Sequence, residues 1–158
     1  MNVFAINVAL AAAWAALTGD FSLINLLIGF AIGSAALFAT RPLYPGTERY
    51  FTRATSILKL ILFFLWELLV GALSVVWDVL TPQHKSRPGI ISVPLEDHSE
   101  MALLVLTNYI SLTPGTLSLD VSEDCRTLYI HAMFGDDPDA IRASIKNGVE
   151  KRVREAME

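Results

Sequence analysis

A helical membrane region followed by a small α+β domain is the fold class this sequence predicts, and three observations carry it. Ala54–Leu80 is an apolar run with sixteen Leu, Ile, Val or Phe residues, closed by Thr81-Pro82. Two further apolar runs precede it. After Pro82 the pattern changes to short alternating and amphipathic segments, and the charge changes with it. Met1–Leu80 holds four basic and four acidic residues, whereas Thr81–Glu158 holds eight and twelve, the source of the whole net charge of −4. With 53% apolar residues in 158 and a mean hydropathy of +0.48, the chain is too hydrophobic for an ordinary soluble domain. The predicted division is therefore a transmembrane region over residues 1–81 and a small α+β domain over 88–158. The acidity of the second half excludes nucleic acid as a partner. A single cysteine, Cys125, excludes an intrachain disulfide and a multi-cysteine metal site, and reads as a surface thiol in a turn.

The first segment, residues 3–17, is Ala-rich and about 15 residues long, short for a full span. It lacks a basic leader, and a second run follows after a few residues, which argues against a cleaved signal. Thr18-Gly19-Asp20 is a turn signal, and residues 21–40 form the second run. Within that run Asn25, Gly29 and Gly33 recur every four residues, a small-residue face that lets a neighbouring backbone approach closely. The nearest neighbour is the first segment, since so short a turn makes an antiparallel hairpin.

Arg41–Arg53 (RPLYPGTERYFTR) reads as a polar connector whose Tyr44, Tyr50 and Phe51 suit the headgroup level. The third run, 54–80, would reach roughly 40 Å as a helix, enough to cross a bilayer. At 100° per residue Ser56, Glu67, Gly71, Ser74 and Asp78 fall on one stripe. A central charge costs about 2.5–3.5 kcal/mol to insert, while each Leu, Ile, Val or Phe contributes about −0.3 to −0.6, so insertion is feasible with Glu67 in place. Two readings of the carboxyl stand: a proton- or cation-related group, or a paired Glu that locks this helix against another subunit. Either one requires a partner for the stripe. Three spans put the connector and the C-terminal half on opposite sides. Three Arg in the connector against Lys85 and Arg87 favour the connector inside by one residue.

The second half reads as strand, helix, strand, strand, helix. Ile90–Val93 is a short strand ended by Pro94. Ser99-Glu100 opens an apolar helix over Met101–Ile110, too short to span and suited to burial under a sheet. Thr116–Val121 alternates Leu117, Leu119 and Val121 against Ser118 and Asp120. Thr127–Ala132 alternates Leu128, Ile130 and Ala132 against Tyr129 and His131. With SEDCR as the turn, the two make a hairpin with one apolar face. Asp137-Pro138 is a helix-start pair, after which Ile141, Ile145, Val149 and Val153 recur every four residues. Two helices on one face of a three-stranded sheet follow.

No catalytic constellation emerges. His84, His98 and His131 are scattered, no serine has a nucleophile context, and no Gly-rich phosphate loop follows a strand. Asp136, Asp137 and Asp139 read as helix capping. No enzyme activity, cofactor or metal is expected. The most specified stretch is Ser111-Leu112-Thr113-Pro114-Gly115-Thr116, where Pro114 pushes Thr113 to extended geometry and Gly115 permits a positive φ.

TGDFSLINLLIGFAIG, the Trp66-Glu67 helix, SLTPGTLSLDVSEDCRTLYIHA and DDPDAIRASIKNGVEKRVRE together resemble the E subunit of the multisubunit Mrp-type cation/proton antiporters. The resemblance runs nearly end to end, and the block from Ser111 onward is its specific part, with Thr113 and Pro114 matching the family's loop motif. It implies a small multi-pass subunit of a cell (inner) membrane complex that exchanges Na⁺ or another monovalent cation for H⁺. The large subunits, which resemble those of respiratory complex I, would carry the ions, and this subunit would serve assembly or full activity. Its C-terminal domain would be cytoplasmic, which with three spans puts the Arg connector outside, against the charge count. The partners implied are the other membrane subunits and the bilayer. From the residues alone, a stand-alone membrane-anchored sensor or scaffold with a ligand-binding domain is the rival, though a mere anchor has no need of a polar stripe at Glu67, Gly71, Ser74 and Asp78.

Overall fold

The computed structural model describes residues 3–41, 47–82 and 86–157. Residues 42–46 of the predicted connector, Tyr44 among them, lie outside these, as do His84 and Lys85. The chain forms two compact units, Met1–Thr55 and Ser56–Glu158.

The first unit is built on α1 (Val3–Thr18) and α2 (Leu23–Ala39). Gly19, at φ +69°, makes the turn between them, a conformation that costs glycine little. Ser22 caps α2 by accepting a bond from the Asn25 amide, and the Asp20 carboxylate in turn accepts from the Ser22 amide at 2.8 Å. The pairing is antiparallel. Asn25 meets Trp14 and Thr18, Gly29 lies against Trp14 and Ala11, and Gly33 lies against Asn7 and Leu10.

The third helix, α3 (Thr47–Leu80), is continuous over 34 residues and long and apolar enough to cross a membrane. It starts earlier than the apolar run does, so Thr47–Arg53 is helical rather than connector. Once Pro45 is passed nothing there breaks a helix, and Glu48 in the first turn complements the helix dipole.

In the second unit β1 (Gly89–Pro94), β2 (Thr116–Val121) and β3 (Thr127–Ala132) form an antiparallel sheet in the order β1-β3-β2. α4 (Glu100–Leu112) follows β1, capped by Ser99, which accepts from the Ala102 amide. After β3 come α5 (Pro138–Ile145), a π-helical turn over Lys146–Glu150, and α6 (Lys151–Met157). The core joins Ile91, Val93, Leu128 and Ile130 of the sheet to Leu106, Ile110, Val149 and Val153 of the helices, and Leu60 of α3 belongs to it.

Two expectations about this unit change. The hairpin does not present one apolar face, because Leu117 and Leu119 point outward, each 48% exposed, while Ser118 turns inward and its hydroxyl donates to the Thr107 carbonyl at 2.9 Å. A bulge between Ser118 and Asp120 then shifts the register, so that Val121 comes level with Leu128. The terminal helix is also not uniform. It widens over Lys146–Glu150, where Gly148 lies beside the Phe63 ring, and the extra residue in that turn rotates Glu150 inward. Cys125 is exposed in the β2–β3 turn at φ +56°.

Candidate functional site

The polar stripe on α3 calls for a partner, and the sequence points to another subunit for it. Most of the stripe is instead covered by the chain's own small domain, because residues 99–116 and the C-terminal helices fold back along it. Glu67 accepts a hydrogen bond from the Tyr109 hydroxyl of α4 at 3.0 Å. Burial, and then the neighbouring Glu67 carboxylate, push the Tyr109 phenol above its ordinary range, so it remains a donor at neutral pH. Gly71 lets the loop after α4 approach: a Cβ there would lie 2.9 Å from the Pro114 carbonyl oxygen. Asp78, 4% exposed, accepts from the Ser86 amide at 3.1 Å. Ser74 alone of the four stays exposed, its hydroxyl turned back onto the Val70 carbonyl.

Around Glu67 the packing is aromatic. The Phe64 ring meets Tyr109 edge-on with centroids 5.1 Å apart, and the Arg152 guanidinium lies 3.8 Å above the Phe63 ring. Beside the pair is a cavity of about 360 Å³, lined in part by Phe63, Glu67, Tyr109, Thr113 and Val149. Chemically this is a braced carboxylate in an apolar wall, set to hold two helices in register.

The loop Ser111–Thr116 is the brace. Ser111 is the last-turn hydroxyl that receives the Ser118 amide. Thr113 is extended at φ −81°, ψ 123°, and its hydroxyl donates back to the Tyr109 carbonyl at 2.9 Å. Gly115 takes φ +92°, and the Thr116 hydroxyl returns to the Ile110 carbonyl at 2.7 Å. These bonds and the glycine together fix Pro114 opposite Gly71.

The α2 face of Asn25, Gly29 and Gly33 lies in the other unit. Asn25 accepts from the Trp14 indole at 3.1 Å and donates to Thr18 and the Asp20 carbonyl. A Cβ on Gly29 would sit 2.9 Å from Trp14 Cβ. That face is used to join α2 to α1.

Three groups are not legible as site residues in the sequence. Asn7 is fully buried, and its amide donates to Ser34 at 2.7 Å and to Tyr50 at 3.3 Å; a lone amide in an apolar run is the signal. Tyr109 reads as one more apolar helix residue. His98 is isolated along the chain, yet its Nε2 lies 2.9 Å from Glu150 Oε1, both side chains almost fully buried, and the Glu96 amide donates to the same oxygen. Nothing in the sequence signals that pair, since regular helical spacing puts Glu150 on the wet face. Among the described residues no three His, Cys, Asp or Glu side chains gather as a metal site would require.

The sequence profile of the family described as "Na+/H+ ion antiporter subunit" matches residues 7–156. The E1 subunit of the Na⁺/H⁺ antiporter of Staphylococcus haemolyticus is 35% identical over 153 residues, covering 97% of this chain and 96% of that one. The E subunit of the Na⁺/H⁺ antiporter of Bacillus subtilis is 35% identical over 150 residues, 95% and 94% of the two chains. Among solved structures, a chain of the Mrp complex from Dietzia sp. superposes with a TM-score of 0.51 at 29% identity, over 65% of this chain and 96% of that one. A chain of the membrane-bound sulfane sulfur reductase, an archaeal respiratory membrane complex, gives 0.59 at 26% identity over 96% of both.

Proposed function

Given that this chain belongs to the E-subunit family of multisubunit Na⁺/H⁺ antiporters, and is on that ground a membrane subunit of a cation/proton antiporter, we propose that its own part is accessory. It associates with the other antiporter subunits and acts as a component of the transporter. In this reading it stabilises the assembly and carries no ions itself. The α1–α2 hairpin anchors it in the bilayer, and the small domain stands on the cytoplasmic side of the complex.

The observation that supports an accessory role is that three of the four stripe residues, Glu67, Gly71 and Asp78, are held by this chain's own residues. A carboxyl that shuttles protons or cations needs a water-lined or partner-lined path on both sides. Glu67 is occupied by Tyr109, Gly71 by Pro114, and Asp78 by the Ser86 amide. These are the contacts of a structural brace. Glu67→Gln keeps an oxygen that accepts from Tyr109 and removes the charge. Vesicles containing the complex with Glu67→Gln are expected to show antiport activity and a pH profile equal to the parent. Antiport lost or shifted in pH, with the complex assembled in normal yield, would give the carboxyl a transport role and sink the accessory reading.

A further inference from the structure

Ser56–Leu80 of α3 passes every test of length and apolarity for a membrane span, and its surroundings argue against one. The domain lines one face of the helix from Leu60, in its core, to Asp78, which shares a cavity with Phe134, about 27 Å at 1.5 Å per residue and nearly the whole depth of a hydrocarbon layer of about 30 Å. Leu60 enters the domain core, Phe63 lies under Arg152, Glu67 meets Tyr109, and Gly71 meets Pro114. A helix crossing the bilayer would carry that domain to membrane depth. The domain cannot go there. The sheet ends on both sides in edge strands, β1 and β2, and sheet edges and loops exposed to lipid do not occur in hydrocarbon. Its surface carries the ion pairs Arg87–Asp136 and Arg142–Asp139.

The opposite face of the helix is suited to lipid. Leu58, Leu62, Leu65, Leu69, Leu73 and Trp77 are each more than half exposed. Gly71, the small residue that would let another membrane helix approach, lies against Pro114 of the domain instead. Trp66 and Trp77, 63% and 65% exposed, are side chains of the headgroup boundary, and Lys59 can reach outward from it. A shallow apolar groove between α3 and α4, lined by Ile61, Leu104 and Leu112, widens the same surface.

We propose that Ser56–Leu80 lies along the bilayer surface, its Leu- and Trp-rich face sunk into the headgroup boundary and the small domain above it in water. This goes beyond the accessory role and does not depend on it. It also removes a contradiction. Three spans place Arg41, Arg49 and Arg53 on the side opposite the domain. An in-plane α3 places them on the same side, where a cytoplasmic domain and the preference of Lys and Arg for that side agree.

The test uses the assembled complex in sealed vesicles of both orientations, in a Cys125→Ser background, with labelling read on this chain. Thr52→Cys and Glu123→Cys are expected to react with a membrane-impermeant maleimide from one and the same side. Reaction from opposite sides would establish a crossing and overturn the proposal. Reaction of both from the outer side would keep α3 in plane while refuting the cytoplasmic placement. Spin labels at Leu62, Leu65, Leu69 and Leu73 then report the occupant of the face. Equal, shallow depth and strong relaxation by oxygen at all four support lipid. A depth maximum midway, or shielding from both oxygen and a water-soluble relaxant as a protein partner would give, overturns it.

Discussion

Tyr109→Phe isolates the bond that braces α3. The substitution keeps the ring, and with it the edge-on contact to Phe64 and the stacking on Phe63, and removes only the hydroxyl that donates to Glu67 at 3.0 Å. A hydrogen bond to a charged acceptor contributes about 1.5–3 kcal/mol, and Glu67 retains partial access to solvent, so the lower end applies. A loss of about 1.5 kcal/mol raises the population in which α4 parts from α3 roughly tenfold. Hydrogen exchange on the purified complex reads that population directly. Amides of residues 63–72 and 105–113 are expected to exchange roughly tenfold faster in Tyr109→Phe, with those of β3 unchanged. Glu67→Gln, which keeps an acceptor, should accelerate them less. Exchange in Tyr109→Phe equal to the parent at both segments would refute the argument, because the bond would then contribute nothing to docking.

Three further outcomes follow from the geometry. Gly33→Leu drives a side chain into Asn7 and Leu10, an overpacking that costs about 1–3 kcal/mol, and the yield of intact complex in mild detergent should fall while Ile32→Leu on the exposed face leaves it unchanged. At Gly115 there is room for a Cβ, its nearest neighbours 3.9 Å away, so Gly115→Ala tests backbone strain alone; at φ +92° it should cost about 1–3 kcal/mol and lower the thermal midpoint of the complex. His98→Ala removes one of the two partners of a buried carboxylate oxygen, leaving the Glu96 amide, and should destabilise the small domain by about 1–3 kcal/mol, read as faster limited proteolysis, whereas His98→Gln, which keeps a donor, should recover part of the loss.

Much of the fold is legible because both of its periodicities are strong. β3 has the same alternation in sequence and structure, since it is the central strand and its Leu128 and Ile130 have a core on one side only. β2 misleads for a local reason. It is an edge strand whose bulge changes phase midway, and a period-2 pattern carries no mark of an added residue. The last helix hides its π turn in the same way: Ile141, Ile145, Val149 and Val153 keep their spacing, and only the position of Glu150 betrays the widening. The α3 stripe is visible in the sequence, and so is its need for a partner. The identity of that partner is not, because Tyr109 and Pro114 reach Glu67 and Gly71 through a tertiary fold of more than 40 residues in sequence. The hairpin contacts of Gly29 and Gly33 are easier, being set by a short turn and a four-residue repeat.

The accessory role is tested most directly by measuring, in cells lacking this chain, both the amount of assembled antiporter and the exchange activity of each complex that remains. Quantitative mass spectrometry of natively purified large subunits is expected to find far less intact complex, with the residual complexes exchanging cations for protons at the parental rate per complex. Full assembly in normal amount with antiport abolished would contradict it, and would place this chain in the path of the ions.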